Sequence, residues 1–196
     1  WSGVALPWMA FGYGLSVTPL QTLTLYNAVA NDGVMVKPIF VSEIKEWNKT
    51  IKKFNTEVIN PKICSQETLD KVQAVLENVV KKGTGSKLYS KDFSMAGKTG
   101  TAQVNYKDKS KLYYASSFVG YFPADEPKYS CIIVVHKPNV AAGYYGADVA
   151  GPVFKRIAQK IFTDSPSTNH VKNIDAKVVS QEKNYSEYYK KVEKEE

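Results

Sequence analysis

Arginine is almost missing from this chain. Of 26 basic side chains only Arg156 is not a lysine. Bidentate guanidinium reading of bases or phosphates is therefore excluded beyond one residue. The net charge of +7 reads as a solvated lysine surface, which leaves a general attraction to anionic surfaces but argues against nucleic-acid binding. Cysteine is scarce too. Cys64 and Cys131 have no metal-ligand spacing and are too few for a disulfide framework. Cys131 lies in an apolar run and is expected to be a buried thiol. His136 and His170 stand alone, so neither a metal site nor a cofactor is expected. No apolar stretch approaches about 18 residues, and neither a signal peptide nor an internal repeat is read in these residues. No methionine opens the chain. It begins at Trp1, which reads as a piece of something longer.

What is present suffices for one domain with a sizeable core, since the chain has 196 residues of ordinary apolar content. Residues 1–17 are rich in aromatics and glycine and read as a shaped loop rather than a helix or strand. Thr18, Pro19 and Gln21 then form a helix start with a capping box. Leu20, Leu23, Leu25, Ala28, Val29 and Ala30 cover most of that helix, which predicts burial on several sides. Asn31-Asp32-Gly33 stops it. Residues 39–47 and 51–54 read as a hairpin across 48–50 with one wet face. A second helix follows Ser65 and ends before Gly83, with Leu69, Val72, Leu76, Val79 and Val80 at helical spacing. Gly83-Thr84-Gly85 is expected to be a flexible loop, and no phosphate-binding pattern follows it.

Three strands come next, at 95–104, 113–122 and 129–136. The continuous apolar run from Cys131 to Val135 predicts a central strand. Short connections make the three antiparallel neighbours. A last helix, about 148–162, carries Ala150, Val153, Phe154, Ile157, Ala158, Ile161 and Phe162 as one stripe facing the sheet. The fold class is thus α+β, an antiparallel sheet with packed helices over residues 1–164. Residues 165–196 form a charged tail of expected mobility, its six lysines balanced by six acids.

Chemistry concentrates in Lys98-Thr99-Gly100-Thr101. An ammonium, two hydroxyls and a bare glycine backbone suit the carboxylate and carbonyl oxygen of an acyl substrate. Gly100 lets a ligand lie against the strand. The Thr101 main-chain N–H can face an oxygen that becomes negative during acyl transfer. Tyr144 and Tyr145 either line the mouth of a cleft or support the turn before the last helix. Tyr113 and Tyr114 read as ordinary strand residues. Trp1, Trp8 and Trp47 read as packing rather than substrate stacking.

Three segments carry a resemblance, in order and spacing: Phe11-Gly12-Tyr13-Gly14-Leu15-Ser16-Val17-Thr18-Pro19-Leu20-Gln21, Gly97-Lys98-Thr99-Gly100-Thr101-Ala102-Gln103, and Tyr144-Tyr145-Gly146 followed by Gly151-Pro152-Val153-Phe154. Over about residues 1–162 the chain resembles the C-terminal part of the transpeptidase domain of class B penicillin-binding proteins, in its cell-division form. The resemblance implies a partial penicillin-binding fold and a parent enzyme that cross-links peptidoglycan stem peptides through a serine acyl-enzyme and binds β-lactam antibiotics. Lys98 would hold the cleft's hydrogen-bond network and positive potential. Thr99 and Thr101 would bind the terminal carboxylate, Gly100 would admit the substrate backbone, and the Thr101 N–H would form half of the oxyanion hole. Implied partners are stem peptides, β-lactams and cell-division proteins, on the extracytoplasmic face of the membrane, with an N-terminal anchor outside this sequence.

The family's Ser-x-x-Lys and Ser-x-Asn motifs would precede Trp1. Ser42-Glu43-Ile44-Lys45, Ser180-Gln181-Glu182-Lys183 and Ser167-Thr168-Asn169 match only as strings and are rejected by position. The chain alone is therefore expected to be inactive, with apolar surface exposed. A non-catalytic β-lactam sensor or a wall-assembly scaffold on the same fold is the alternative.

Overall fold

The computed structural model describes residues 3–105 and 111–164. Trp1, His170, the rejected strings at 167–169 and 180–183 and the expected tail lie outside them.

The first departure from expectation is a short helix, α1 (Ala5–Ala10), within the segment read as a loop. Pro7 falls in its first turn, where a missing N–H costs nothing. Gly12 and Gly14 follow with φ of +87° and +82° and turn the chain away. Trp8 meets Tyr13 edge-on at 5.5 Å.

Helix α2 (Pro19–Ala30) starts as expected. Thr18 Oγ1 accepts from the Gln21 N–H at 3.2 Å, and Gln21 Oε1 accepts from the Thr18 N–H at 2.8 Å. Thr18→Ala should cost about 1 kcal/mol, read as a lower denaturation midpoint at unchanged slope. The helix ends through Asp32 and Gly33, both at positive φ, with the Gly33 N–H donating to the Ala28 carbonyl at 2.8 Å. Its burial is narrower than expected. Only Ala28 and Val29 are buried, while Leu20 and Leu25 stay 40% and 48% exposed. One helix side meets the sheet, and apolar positions spread round a cylinder cannot all face it.

Between α2 and the next helix lie two small antiparallel pairs. Strand β1 (Met35–Val36) pairs with β4 (Val58–Asn60), and β2 (Glu43–Glu46) pairs with β3 (Lys49–Lys53). The hairpin is shorter than expected, because residues 39–42 stay outside it and Trp47-Asn48 makes the turn. Trp47 contradicts the packing expectation, being 95% exposed. It sits at the tip of a two-stranded ribbon that packs on no other layer among the described residues.

Helix α3 (Gln66–Lys81) is capped by Ser65 and buries Leu69, Leu76 and Val80. The loop after it is tied down, contrary to expectation. The Gly83 N–H donates to the Asn78 carbonyl at 3.0 Å and the Gly85 N–H to the Val79 carbonyl at 2.9 Å. A single 3-10 turn, Ser86–Leu88, continues from it.

The main sheet is β5 (Ala96–Val104), β6 (Tyr113–Phe122) and β7 (Tyr129–His136), antiparallel in the order β5-β6-β7. Among the described strands β6, not β7, is the central one. An unbroken apolar run reports burial on both faces but not lateral position in a sheet. Cys131, accordingly, is only half-buried, and burial raises its thiol pKa. The last helix is broken at Ala150 into α4 (Gly146–Val149) and α5 (Gly151–Asp164). Val153, counted in its stripe, is 41% exposed, whereas Phe154 and Ala158 are fully buried.

The pleat of β5 and β6 divides the core between two faces. Met95, Phe118 and Phe122 join Leu88, Phe93, Ala150, Phe154 and Ala158 on the α5 face. Ala96 and Tyr121 join Val29, Leu69 and Leu76 on the α2–α3 face.

Candidate active site

Lys98, Thr99, Gly100 and Thr101 occupy consecutive positions on β5, opposite Val119, Phe118, Ser117 and Ser116 of β6. No described strand pairs with the other edge of β5. Lys98, Thr101, Ala102 and Gln103 are exposed along it. The pleat sends Lys98 and Gly100 toward the α2–α3 face and Thr99 and Thr101 toward the α5 face. Yet the lysine and the first hydroxyl meet. Lys98 Nζ donates to the Thr99 carbonyl at 2.9 Å and to Thr99 Oγ1 at 3.3 Å.

A Cβ on Gly146 would lie 2.5 Å from the Gly100 carbonyl, 3.1 Å from the Gly100 nitrogen and 2.2 Å from the Ser117 carbonyl, so the Gly100 main chain faces its partner on β6. The Thr99 carbonyl, one residue away, points out of the open edge. The N–H and C=O of one strand residue point the same way, and the direction repeats every second residue in an antiparallel ladder. The Thr101 N–H therefore also points out of the open edge, about two residue rises along the strand from that of Thr99.

The two hydroxyls are supported from behind. Thr99 Oγ1 lies 2.9 Å from Thr84 Oγ1 on the loop after α3. Thr101 Oγ1 accepts the Gly146 N–H at 3.0 Å, and its own proton remains available to donate. Ser116, buried opposite Thr101, donates to the Tyr144 carbonyl. Threonine and serine on neighbouring strands thus hold the loop at 144–146 against the sheet. Gly146 is required there, since a Cβ would come within 2.2 Å of the Ser117 carbonyl and 2.5 Å of the Gly100 carbonyl. Gly100 is bare for a comparable reason. A Cβ on it would meet Ser117 Oγ at 2.5 Å, so that hydroxyl, and not only open space, lies beside the strand.

A tyrosine ladder continues the wall past Thr101. Tyr144 stacks on Tyr114 at 4.2 Å and leans on Tyr145 at 4.4 Å. Tyr114 accepts from Gln103 Nε2 at 3.2 Å, so it is part of this wall and not an ordinary strand residue. The hydrogen bond from the Tyr144 hydroxyl to that of Tyr145 pushes the Tyr144 pKa up to about 12. Lys87 pairs with Asp148 at 2.6 Å and pins α4 to the 3-10 turn.

The structure therefore brings together all four residues singled out in the sequence. It adds Thr84, Ser116, Ser117 and Tyr114. Adjacent serines in the otherwise apolar 113–122 strand are a signal that register could have exploited. Ser42 lies just before β2 of the exposed hairpin and opens no helix, which agrees with its rejection. No cluster of three or more metal-ligating side chains occurs among the described residues. Nor is any described helix long and apolar enough to cross a membrane.

Comparison with known proteins follows the same outline. The family model for the penicillin binding protein transpeptidase domain matches residues 2–159. The chain is 33% identical over 163 residues to the peptidoglycan D,D-transpeptidase FtsI of Buchnera aphidicola, covering 82% of this chain and 27% of that protein. It is 35% identical over 155 residues to the stage V sporulation protein D of Bacillus subtilis, covering 76% and 23%. The chain thus spans about a quarter of the length of these curated relatives. Among solved structures, penicillin binding protein 3 of Mycobacterium tuberculosis complexed with aztreonam aligns with a TM-score of 0.71 at 29% identity, over 85% of this chain and 39% of that one. Penicillin-binding protein 2B of Streptococcus pneumoniae aligns with a TM-score of 0.71 at 22% identity, over 87% and 28%, and supports the fold alone.

Proposed function

Because the chain belongs to the penicillin-binding protein transpeptidase domain family, we propose that its β5 edge is one bank of the acyl-transfer cleft of a peptidoglycan D,D-transpeptidase. The observation that carries this reading is the edge of β5 that no described strand covers, along which the Thr99 and Thr101 main chain faces outward and Lys98 Nζ lies 2.9 Å from the Thr99 carbonyl. Positive charge, two hydroxyls and an outward N–H then line one side of a groove in the order that a peptide ending in a carboxylate needs.

The roles follow from position. Thr99 and Thr101 hydroxyls donate to the terminal carboxylate of the donor stem peptide, with the Lys98 ammonium adding attraction. The Thr101 N–H donates to the scissile carbonyl oxygen as it becomes an oxyanion. A serine hydroxyl attacks that carbonyl, its proton passes to the leaving D-alanine amine, and an ester to the enzyme forms. An amine on a second stem peptide then attacks the ester, and the serine leaves with its proton restored. β-Lactams react at the same serine because their ring amide takes the place of the scissile bond. We place that serine outside these 196 residues. The three motif-like strings sit beside the exposed hairpin or beyond residue 164, and the relatives are about three times as long. The parent would act on the extracytoplasmic face of the membrane, in division-type wall synthesis with division proteins.

The test is covalent labelling with a fluorescent penicillin. The 196-residue chain alone should stay unlabelled, while the full-length protein should carry a label that survives denaturation. Label on the chain alone would overturn the placement of the serine. A full-length protein that never acylates would overturn the reading as a penicillin-binding transpeptidase.

A further inference from the structure

We propose that Thr84 is a positioning residue for the Thr99 hydroxyl, setting its proton toward the open edge of β5. The inference rests on the reading of Lys98–Thr101 as the carboxylate-binding edge. It adds a residue that neither touches substrate nor lies on β5.

A threonine hydroxyl has one proton and two acceptor lone pairs. Thr99 Oγ1 already accepts from Lys98 Nζ at 3.3 Å. Its second polar neighbour is Thr84 Oγ1 at 2.9 Å, where either oxygen can be the donor. If Thr99 donates to Thr84, no proton is left for a ligand. If Thr84 donates to Thr99, both lone pairs are filled and the Thr99 proton must point elsewhere, toward the edge that its own main chain faces. A carboxylate in front of that edge selects the second arrangement. The chain Thr84 to Thr99 to carboxylate is then unidirectional, and each bond strengthens the next.

Thr84 can do this because its loop is held. Gly83 and Gly85 donate to the carbonyls of Asn78 and Val79 at the end of α3. A Cβ at Gly83 would lie 2.9 Å from Val79 Cα, and one at Gly85 3.1 Å from the Val79 carbonyl. These two glycines let the loop close against α3 and present the hydroxyl between them at a fixed place.

The experiment compares acylation of the full-length protein by a carboxylate-bearing penicillin and by its methyl ester. In T84V the acid should acylate about 3- to 10-fold more slowly, the yield of one neutral hydrogen bond. The ester, with no carboxylate to bind, should be unchanged. T84S should restore the acid rate to within about twofold of wild type. If T84V does not fold, T84A supplies the same comparison. Equal losses for acid and ester would reduce Thr84 to a structural role and overturn the inference. So would an unchanged T84V beside an impaired T99V, although the edge reading would then stand. If T99V too acylates like wild type with both compounds, the edge reading fails and the inference with it.

Discussion

Lys98→Ala in the full-length protein should slow penicillin acylation about 10²- to 10³-fold while leaving the melting temperature nearly unchanged. The two halves of this expectation come from different facts. Lys98 is exposed and, among the described residues, its ammonium touches only Thr99, so its removal uncovers no buried partner within this domain portion. Chemically, however, it is the one cation of the Lys98–Thr101 run at the open edge, where negative charge arrives with the carboxylate and grows on the carbonyl oxygen. Preorganised charge at a developing oxyanion is where enzymes gain most. Lys98→Arg should not rescue, because a planar fork cannot reach back to the Thr99 carbonyl as a compact ammonium does. Acylation kinetics with a fluorescent penicillin, beside a thermal melt, check both parts.

Phe154→Ala should be among the most damaging core substitutions, costing about 3–5 kcal/mol. Phe154 is 0% exposed and lies 4.7 Å from the Phe118 ring and 5.6 Å from the Phe122 ring. It ties α5 to the central strand of the sheet. Ala150 and Ala158, one helical turn to either side, are also fully buried, so small neighbours leave the lost volume unfilled. Against a total stability of about 5–15 kcal/mol, such a loss brings the domain near its limit. Chemical denaturation of the wild type and the variant measures it. A cost below about 1 kcal/mol would mean that α5 does not close this core.

The sequence carried the local decisions well. Thr18, Pro19 and Gln21 specify a helix start through contacts three residues apart, so no tertiary information is needed. Strands β6 and β7 fall where the apolar runs and the turns between them put them. What failed depended on neighbours. The apolar run from Cys131 to Val135 has the pattern of a central strand, yet among the described strands β6 takes the centre. Leu20 and Leu25 are apolar, but only the far end of α2 meets the sheet closely enough to bury residues. Strands β1 and β4 are too short for any periodicity to reveal. The site divides in the same way. Lys98, Thr99, Gly100 and Thr101 are adjacent in sequence and legible there. Thr84 reaches them only through the closure of its loop on α3, and Ser116 and Ser117 only through strand register.

The most direct measurement is a crystal structure of the full-length protein acylated by a penicillin. The acyl carbonyl oxygen should lie within hydrogen-bond distance of the Thr101 main-chain N–H, with the penicillin carboxylate on the Thr99 hydroxyl. An acyl group seated away from β5, or a β5 edge closed by another strand, would contradict the account.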